Sequence, residues 1–214
     1  MYVPSRFEEP RLEIMHELIR ANPLATVVTL SSAGLNANHI PLYLSEEPAP
    51  FGILRGHVAR SNPIWNDYAK DVDVLAIFHG PQAYISPSWC ATKKETGKVV
   101  PTWNYAVVHA YGSLSVMDDA SWLRVQLDAL TDRNEAAVSE QWQVSDAPRE
   151  YTEKMIGAVV GIEIVITKLI GKWKTSVIEP EQNLSGVIHE LAASGQQDAA
   201  SMAVLMEERG KRVR

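Results

Sequence analysis

Runs of β-rich residues broken by short turns recur along the chain, and apolar residues at helical spacing appear at a few places between them. Leu12, Met15, Leu18 and Ile19 fall on one face, so residues 10–21 predict a helix that Asn22-Pro23 stops. Leu24 to Leu30 is β-rich. Ser31-Ser32-Ala33-Gly34 turns the chain and Leu35 to Leu44 returns, which predicts a hairpin. Phe51 to Val58 reads as another strand, and Ala59 to Tyr68 as a short helix with Ser61 at its N-cap and Pro63 in its first turn. Val72 to His79 and Gln82 to Ile85 predict strands on either side of Gly80-Pro81, and Trp103 to Met117 a long strand. Asp118 or Asp119 caps a helix carrying Leu123, Leu127 and Leu130 at i, i+4 and i+7. Val159 to Ile170 is apolar enough for a strand buried on both faces.

Two helices follow. The first opens at Pro180, is lined by Leu184, Val187, Ile188 and Leu191, and ends at Gly195 in the C′ position; the second spans 199–209. About seven strands joined mostly by short turns favour antiparallel pairing, because strands and helices do not alternate as a doubly wound sheet requires. The expected fold is mainly β of the α+β class: a partly closed antiparallel barrel over residues 1–175, with peripheral helices and a helical extension over 176–214 that packs on the barrel or on a dimer partner.

Composition narrows the classes of function. A chain of 214 residues is long enough for a substantial core, and its net charge of −6 gives no bulk attraction to a polyanion. Cys90 is the one cysteine, so no intrachain disulfide or thiolate metal cage forms, and its expected role is packing. No signal peptide and no apolar stretch of membrane-spanning length stands out, which predicts a cytoplasmic soluble protein. No phosphate-binding loop, dinucleotide fingerprint, zinc-protease helix or nucleophile elbow appears, so the catalytic residues are unassigned. The histidines show no i, i+4 pair and predict no metal site.

Two stretches carry candidate chemistry. Around Arg60, Ser61 and Asn62 a strand feeds the predicted helix, whose free N–H groups would make an anion pocket with the Arg60 guanidinium; a capped helix with a solvated arginine is the plainer alternative. Ser86-Pro87-Ser88-Trp89 and Pro101-Thr102-Trp103-Asn104-Tyr105 set aromatic faces beside hydroxyl donors, on either side of a lysine-rich turn at 93–98. Two core tryptophans beside turns would explain them equally. Exposed, such rings need a ligand or a partner subunit.

Several segments in order resemble the PaiB-type family of FMN-binding negative transcriptional regulators. They are Met1-Tyr2-Val3-Pro4 with Phe7, Asn38-His39-Ile40-Pro41, Gly56-His57-Val58-Ala59-Arg60-Ser61-Asn62-Pro63 with Trp65, Gly80 to Trp89, Val100 to Tyr105 with Val108 to Gly112, and Gly171-Lys172-Trp173-Lys174. The resemblance implies an FMN-binding split barrel that forms a homodimer with the flavin at the interface. Arg60 and Ser61 would hold the phosphate with Asn62 nearby, residues around His57 would flank the ring system, and Trp89, Trp103 or Tyr105 would cover it, with Ser86, Ser88 and Thr102 as hydroxyl donors. It also implies a regulator whose DNA-binding element is unassigned, the basic tail and the 93–98 loop being the only local support. An FMN-dependent oxidoreductase, a regulator without flavin, and haem on His57 or His109 stay open as alternatives. One departure stands out: Val177, Ile178 and Glu179 replace the family's Gln-Asn-Arg, exchanging a cation for a carboxylate.

Overall fold

The computed structural model of the chain describes residues 1–47, 50–175 and 181–212. The departing segment at Val177, Ile178 and Glu179, and the expected helix start at Pro180, lie outside them. In chain order the elements are β1 (Glu8–Glu9), α1 (Leu12–Ala21), β2 (Leu24–Ser31), β3 (Gly34–Pro41), β4 (Tyr43–Ser45), β5 (Ile53–Ala59), β6 (Val74–Ile85), α2 (Lys93–Thr96), β7 (Thr102–Met117), α3 (Ala120–Glu135), α4 (Arg149–Gly157), β8 (Val159–Lys174), α5 (Glu181–Ala193) and α6 (Gln197–Arg212). The eight strands run β3-β2-β6-β7-β8-β5-β4, with β1 against β8, and the β1–β8, β2–β3, β2–β6, β4–β5 and β5–β8 ladders are antiparallel. The path is open: β3 and β4 are its two ends.

Two compact units form. The first comprises Met1–Arg11, His79–Val108 and Ile170–Arg214; the second comprises Leu12–Phe78 and His109–Leu169. The long strands β6, β7 and β8 each contribute one part to each unit.

In the second unit, β2 and β3 form the expected hairpin about Ser32-Ala33, with Ser31 opposite Gly34 at φ 110°. That φ is easily reached by glycine and rarely by other residues. The chain then swings from β3 to β4, at the opposite end of the strand order. Leu42, 1% exposed, forms the corner with its N–H on the Pro23 carbonyl, and β4 pairs with β5. Gly56 of β5 allows this close passage, because a Cβ there would lie 2.8 Å from the Pro41 carbonyl oxygen. Leu54 and Val58 are buried on β5 while Arg55 and His57 are partly exposed, as period-two burial requires.

Helix α3 lies over the strand face that carries His57. Asp119 caps it by accepting from the Trp122 N–H, and the Trp122 ring occupies the space above Gly161, the cross-strand partner of His57. Buried Leu123 and Gln126 face the strands.

In the first unit, α5 and α6 cover one face of the strands. Val187, Leu191, Met202, Ala203 and Met206 pack with Ala83 and Ile85, and Trp89 and Cys90 join the edge of this cluster. Two contacts fix α5: buried Asn183 accepts from the Thr92 N–H at 3.0 Å, and Gly186 passes the Trp89 carbonyl so closely that a Cβ would be 2.4 Å from its oxygen.

Three local expectations are corrected. The chain from Ala59 to Tyr68 contains only a 3-10 turn, Pro63–Trp65, capped by Asn62 rather than Ser61; the Asn62 carboxamide accepts from Ile64 N–H at 3.0 Å. A proline in a one-turn segment and an asparagine that closes it locally leave no helix to propagate. The strand β6 continues through Gly80-Pro81 without interruption; its ladder with β2 covers only Leu75, Ala76 and Ile77, so Pro81 breaks no bond there. The lysine-rich connection winds into the short α2, ended by Gly97 at φ 64°.

Candidate functional site

The residues singled out in sequence divide between the two units. His57, Arg60, Ser61 and Asn62 lie in the second; Ser86, Ser88, Trp89, Thr102, Trp103 and Tyr105 lie in the first.

At the end of β5, Arg60 is held on several sides. Its guanidinium donates to both Asp118 carboxylate oxygens at 3.1 and 2.7 Å, to the Gly157 carbonyl at 3.0 Å and to the Val159 carbonyl at 3.0 Å. These hydrogen bonds hold the Asp118 carboxyl below, and the arginine above, their ordinary pKa values. Asn62 donates to the Asn38 carboxamide at 2.8 Å, tying the turn after β5 to β3. Ser61 is exposed. No helix N-terminus follows β5, and the structure shows there an arginine bound to a carboxylate, with hydroxyl and amide groups beside it.

His57 points under α3. Its Nδ1 is 2.9 Å from the Oε1 of Gln126, a side chain 3% exposed whose Nε2 makes no hydrogen bond among the described residues. Beside them Arg55 donates to Glu163, its cross-strand partner, at 2.9 Å. Tyr43, Arg55, Trp122, Val125 and Gln126 line an open groove of about 400 Å³.

The first unit shows a different arrangement. Ala83 and Ile85 point toward α5 and α6, and Asn104 donates to the sulfur of Met206 at 3.4 Å. The intervening side chains Tyr84, Trp103 and Tyr105 project from the opposite face. Trp103 is 55% exposed and Tyr84 46%, and their rings meet edge to face at 6.0 Å. Trp89 packs on the α5–α6 side, so the two proline-hydroxyl-tryptophan stretches have different surroundings. Ser86 caps the turn Pro87–Trp89 by accepting from the Ser88 N–H, and the Ser88 hydroxyl accepts from the Lys93 ammonium at 3.0 Å.

Two lysines join this aromatic face. Lys172 lies 5.2 Å, and Lys174 6.0 Å, from the centre of the Tyr105 ring. Lys172 is 9% exposed, donates to the Tyr2 carbonyl at 3.2 Å and lies 6.0 Å from the Tyr2 ring. Lys174 donates to the Thr102 hydroxyl and the Trp103 carbonyl. Burial pushes the Lys174 ammonium below its ordinary pKa, the Tyr105 phenol opposes this, and the charge of Lys172 adds to it. Sequence reading took Lys172 and Lys174 only as part of a familiar segment. Their i, i+2 spacing on a strand places both on one face, and that was the available signal. Among the described residues no cluster of histidine, cysteine and carboxylate groups fits a metal ion.

Comparison with known proteins places the chain in a family. Residues 1–168 match the family described as "Putative FMN-binding domain". The chain is 30% identical over 212 residues to the protease synthase and sporulation protein PAI 2 of Bacillus subtilis (strain 168), covering 99% of each chain. It is 33% identical over 246 residues to an uncharacterized protein of Emericella nidulans, covering 99% of this chain and 98% of the relative. Among solved structures, the FAD and heme binding protein from Mycobacterium smegmatis superposes with a TM-score of 0.57 at 16% identity, covering 88% of this chain and 80% of that one, and so shares its split-barrel fold. With an eight-stranded antiparallel sheet of this order and a family match running from its first residue into β8, the chain belongs to the FMN-binding domain family that includes the PaiB-type proteins.

Proposed function

We propose that this chain binds FMN as a homodimer in the cytoplasm and acts as a PaiB-type negative regulator. The observation that carries the reading is the open aromatic face of the first unit. Trp103 and Tyr84 present rings to solvent beside Tyr105, although burying them against protein would be favourable. A flat isoalloxazine, or a second subunit that brings one, would cover these rings and recover the lost apolar contact.

The residues present fit a flavin in kind. Trp103 and Tyr105 supply faces, and Thr102, Ser86 and Ser88 are the proposed hydroxyl donors of the same unit, Thr102 from the side that Ile85 and Cys90 line. Trp89, which packs on the α5–α6 cluster, is the proposed ligand furthest from this open face in its surroundings. Independently of that face, the second unit taken by itself offers Arg60, Ser61 and Asn62 as proposed phosphate ligands, with His57 as the flanking side chain. For Arg60 the role requires the phosphate to share or replace Asp118. When bound, FMN supplies a redox-active ring; the chain itself supplies position and exclusion of water.

The test is direct. FMN and riboflavin are titrated into the purified protein, following the visible flavin band and the quenching of tryptophan fluorescence, with Trp103→Leu and Arg60→Ala alongside. Binding of FMN that weakens in both variants supports the reading. No FMN binding at high micromolar concentration overturns its cofactor part. Light scattering reads the subunit number. A salt-sensitive mobility shift on the DNA upstream of the protein's own operon tests the regulatory part.

A further inference from the structure

Lys172 and Lys174 make no ion pair among the described residues. Glu8 is the cross-strand partner of Lys172 in the β1–β8 ladder, yet no ion pair joins them. Glu9, the next residue, is buried and engaged by Arg11. The contrast with Arg60 is plain: that guanidinium has a carboxylate and two carbonyls, whereas Lys172 has one carbonyl and Lys174 one carbonyl and one hydroxyl. Each ammonium therefore keeps N–H donors to spare. A buried cation without an anion is costly, and two cations sharing one ring add mutual repulsion. Structural lysines at such places are normally paired.

We propose that Lys172 and Lys174, with the rings of Tyr105 and Trp103 as a wall, bind an oxyanion of the phosphate class. An oxyanion between the two ammonium groups would accept their spare hydrogen bonds and remove the repulsion. The partly exposed Lys174 is the group it meets first, and the buried Lys172 sets the depth of the site. The anionic group has two candidate sources: a separate phosphorylated ligand, or the phosphate of a flavin mononucleotide, which would then take that role from Arg60.

The experiment uses the full chain and inorganic phosphate, so it does not depend on flavin binding. Thermal unfolding is followed in phosphate and in chloride at matched ionic strength, for the wild type, Lys174→Met, Lys174→Arg and the exposed control Lys94→Met. Phosphate is expected to raise the midpoint in the wild type, the control and Lys174→Arg. Lys174→Met is expected to lose the rise, with phosphate affinity down roughly tenfold. Because Lys172→Met removes a buried side chain, the second measurement leaves the chain intact: the Lys174 side-chain resonance should titrate at higher pH when phosphate is present. A wild type that responds alike to phosphate and chloride, or a Lys174→Met variant that keeps the full response, overturns the site. If saturating FMN abolishes the phosphate response and riboflavin does not, the flavin phosphate is the ligand. If the response survives both, a separate phosphorylated ligand is. Failure of FMN to bind, with the phosphate response intact, would count against the proposed function and leave this site standing.

Discussion

Arg60 grips both carboxylate oxygens of Asp118, at 3.1 and 2.7 Å, in a two-point contact at the mouth of β5. A bidentate carboxylate is the nearest protein equivalent of a bound phosphate, so Asp118 occupies the guanidinium edge that a phosphate would take. If Arg60 holds the flavin phosphate, Asp118→Asn should tighten FMN several-fold and leave riboflavin unchanged. Arg60→Ala should weaken FMN by on the order of tenfold. Calorimetric titration of both ligands into both variants reads the difference. Equal FMN affinity in wild type and Asp118→Asn would mean that Arg60 serves only to fasten β5 to the Gly157 and Val159 carbonyls.

The β2–β3 hairpin carries an apolar pair on the outside. Leu30 and Leu35 are cross-strand partners, 43% and 83% exposed, with Leu24 further along at 60%. Contiguous exposed apolar side chains of this kind are candidates for an interaction surface. If the proposed homodimer uses this hairpin, Leu35→Asp should shift the mass measured by light scattering toward that of one chain without changing the far-ultraviolet circular dichroism. An unchanged mass would move the dimer surface elsewhere.

β-rich and apolar runs broken by short turns were enough to identify β2, β3, β5, β7 and β8, and the Ser-Ser-Ala-Gly turn fixed the hairpin. Other features depended on context that sequence does not carry. Helix α4 has few apolar positions, and its burial rests on Thr152 and Ile156. The one-turn segment at Pro63 looked like a longer helix because an N-cap signal says where a helix can start, not how far it runs. Among the candidate site residues, hydroxyl and aromatic identities were visible in order. That Trp89 packs beneath α5 while Trp103 stays open was not, because both read as the same local motif. Glycine spacing was similarly mute: Gly186 meets Trp89, and Gly161 meets Trp122, across long sequence separations.

Glu9 gives the stability a predictable pH dependence. Burial pushes its carboxyl up, but hydrogen bonds from the side chain and backbone of Arg11 outweigh this, and the charges of Arg11 and Arg209 add to them. The folded-state pKa is thus depressed below the ordinary carboxylate value. A depressed carboxyl contributes stability that is present above the unfolded pKa and is lost as pH falls through the folded one. The wild type should lose stability on acidification below that value, and Glu9→Gln should lose less over the same interval. Denaturant midpoints measured on both proteins across this range check it; parallel curves would assign the acid sensitivity to other groups.

Gly161 and Gly157 make opposite predictions a few residues apart. A Cβ at Gly161 would lie 2.4 Å from the Trp122 ring and 2.8 Å from the Met117 carbonyl oxygen, whereas one at Gly157 would meet nothing within 4 Å. Trp122 sits above β8 only because no side chain stands there, and both the ring and the carbonyl belong to packed elements that cannot easily yield. Gly161→Ala should therefore cost about 1–3 kcal/mol, as overpacking of a filled core does. It should also loosen α3 from the strand face that holds His57, which amide exchange at the start of α3 would detect. Gly157 is the last residue of α4 and has room for a methyl group. Gly157→Ala should be neutral or stabilise by up to about 1 kcal/mol through the unfolded chain. Chemical denaturation of the two variants side by side separates the effects, and a destabilised Gly157→Ala with an unaffected Gly161→Ala would contradict the packing of α3 described above.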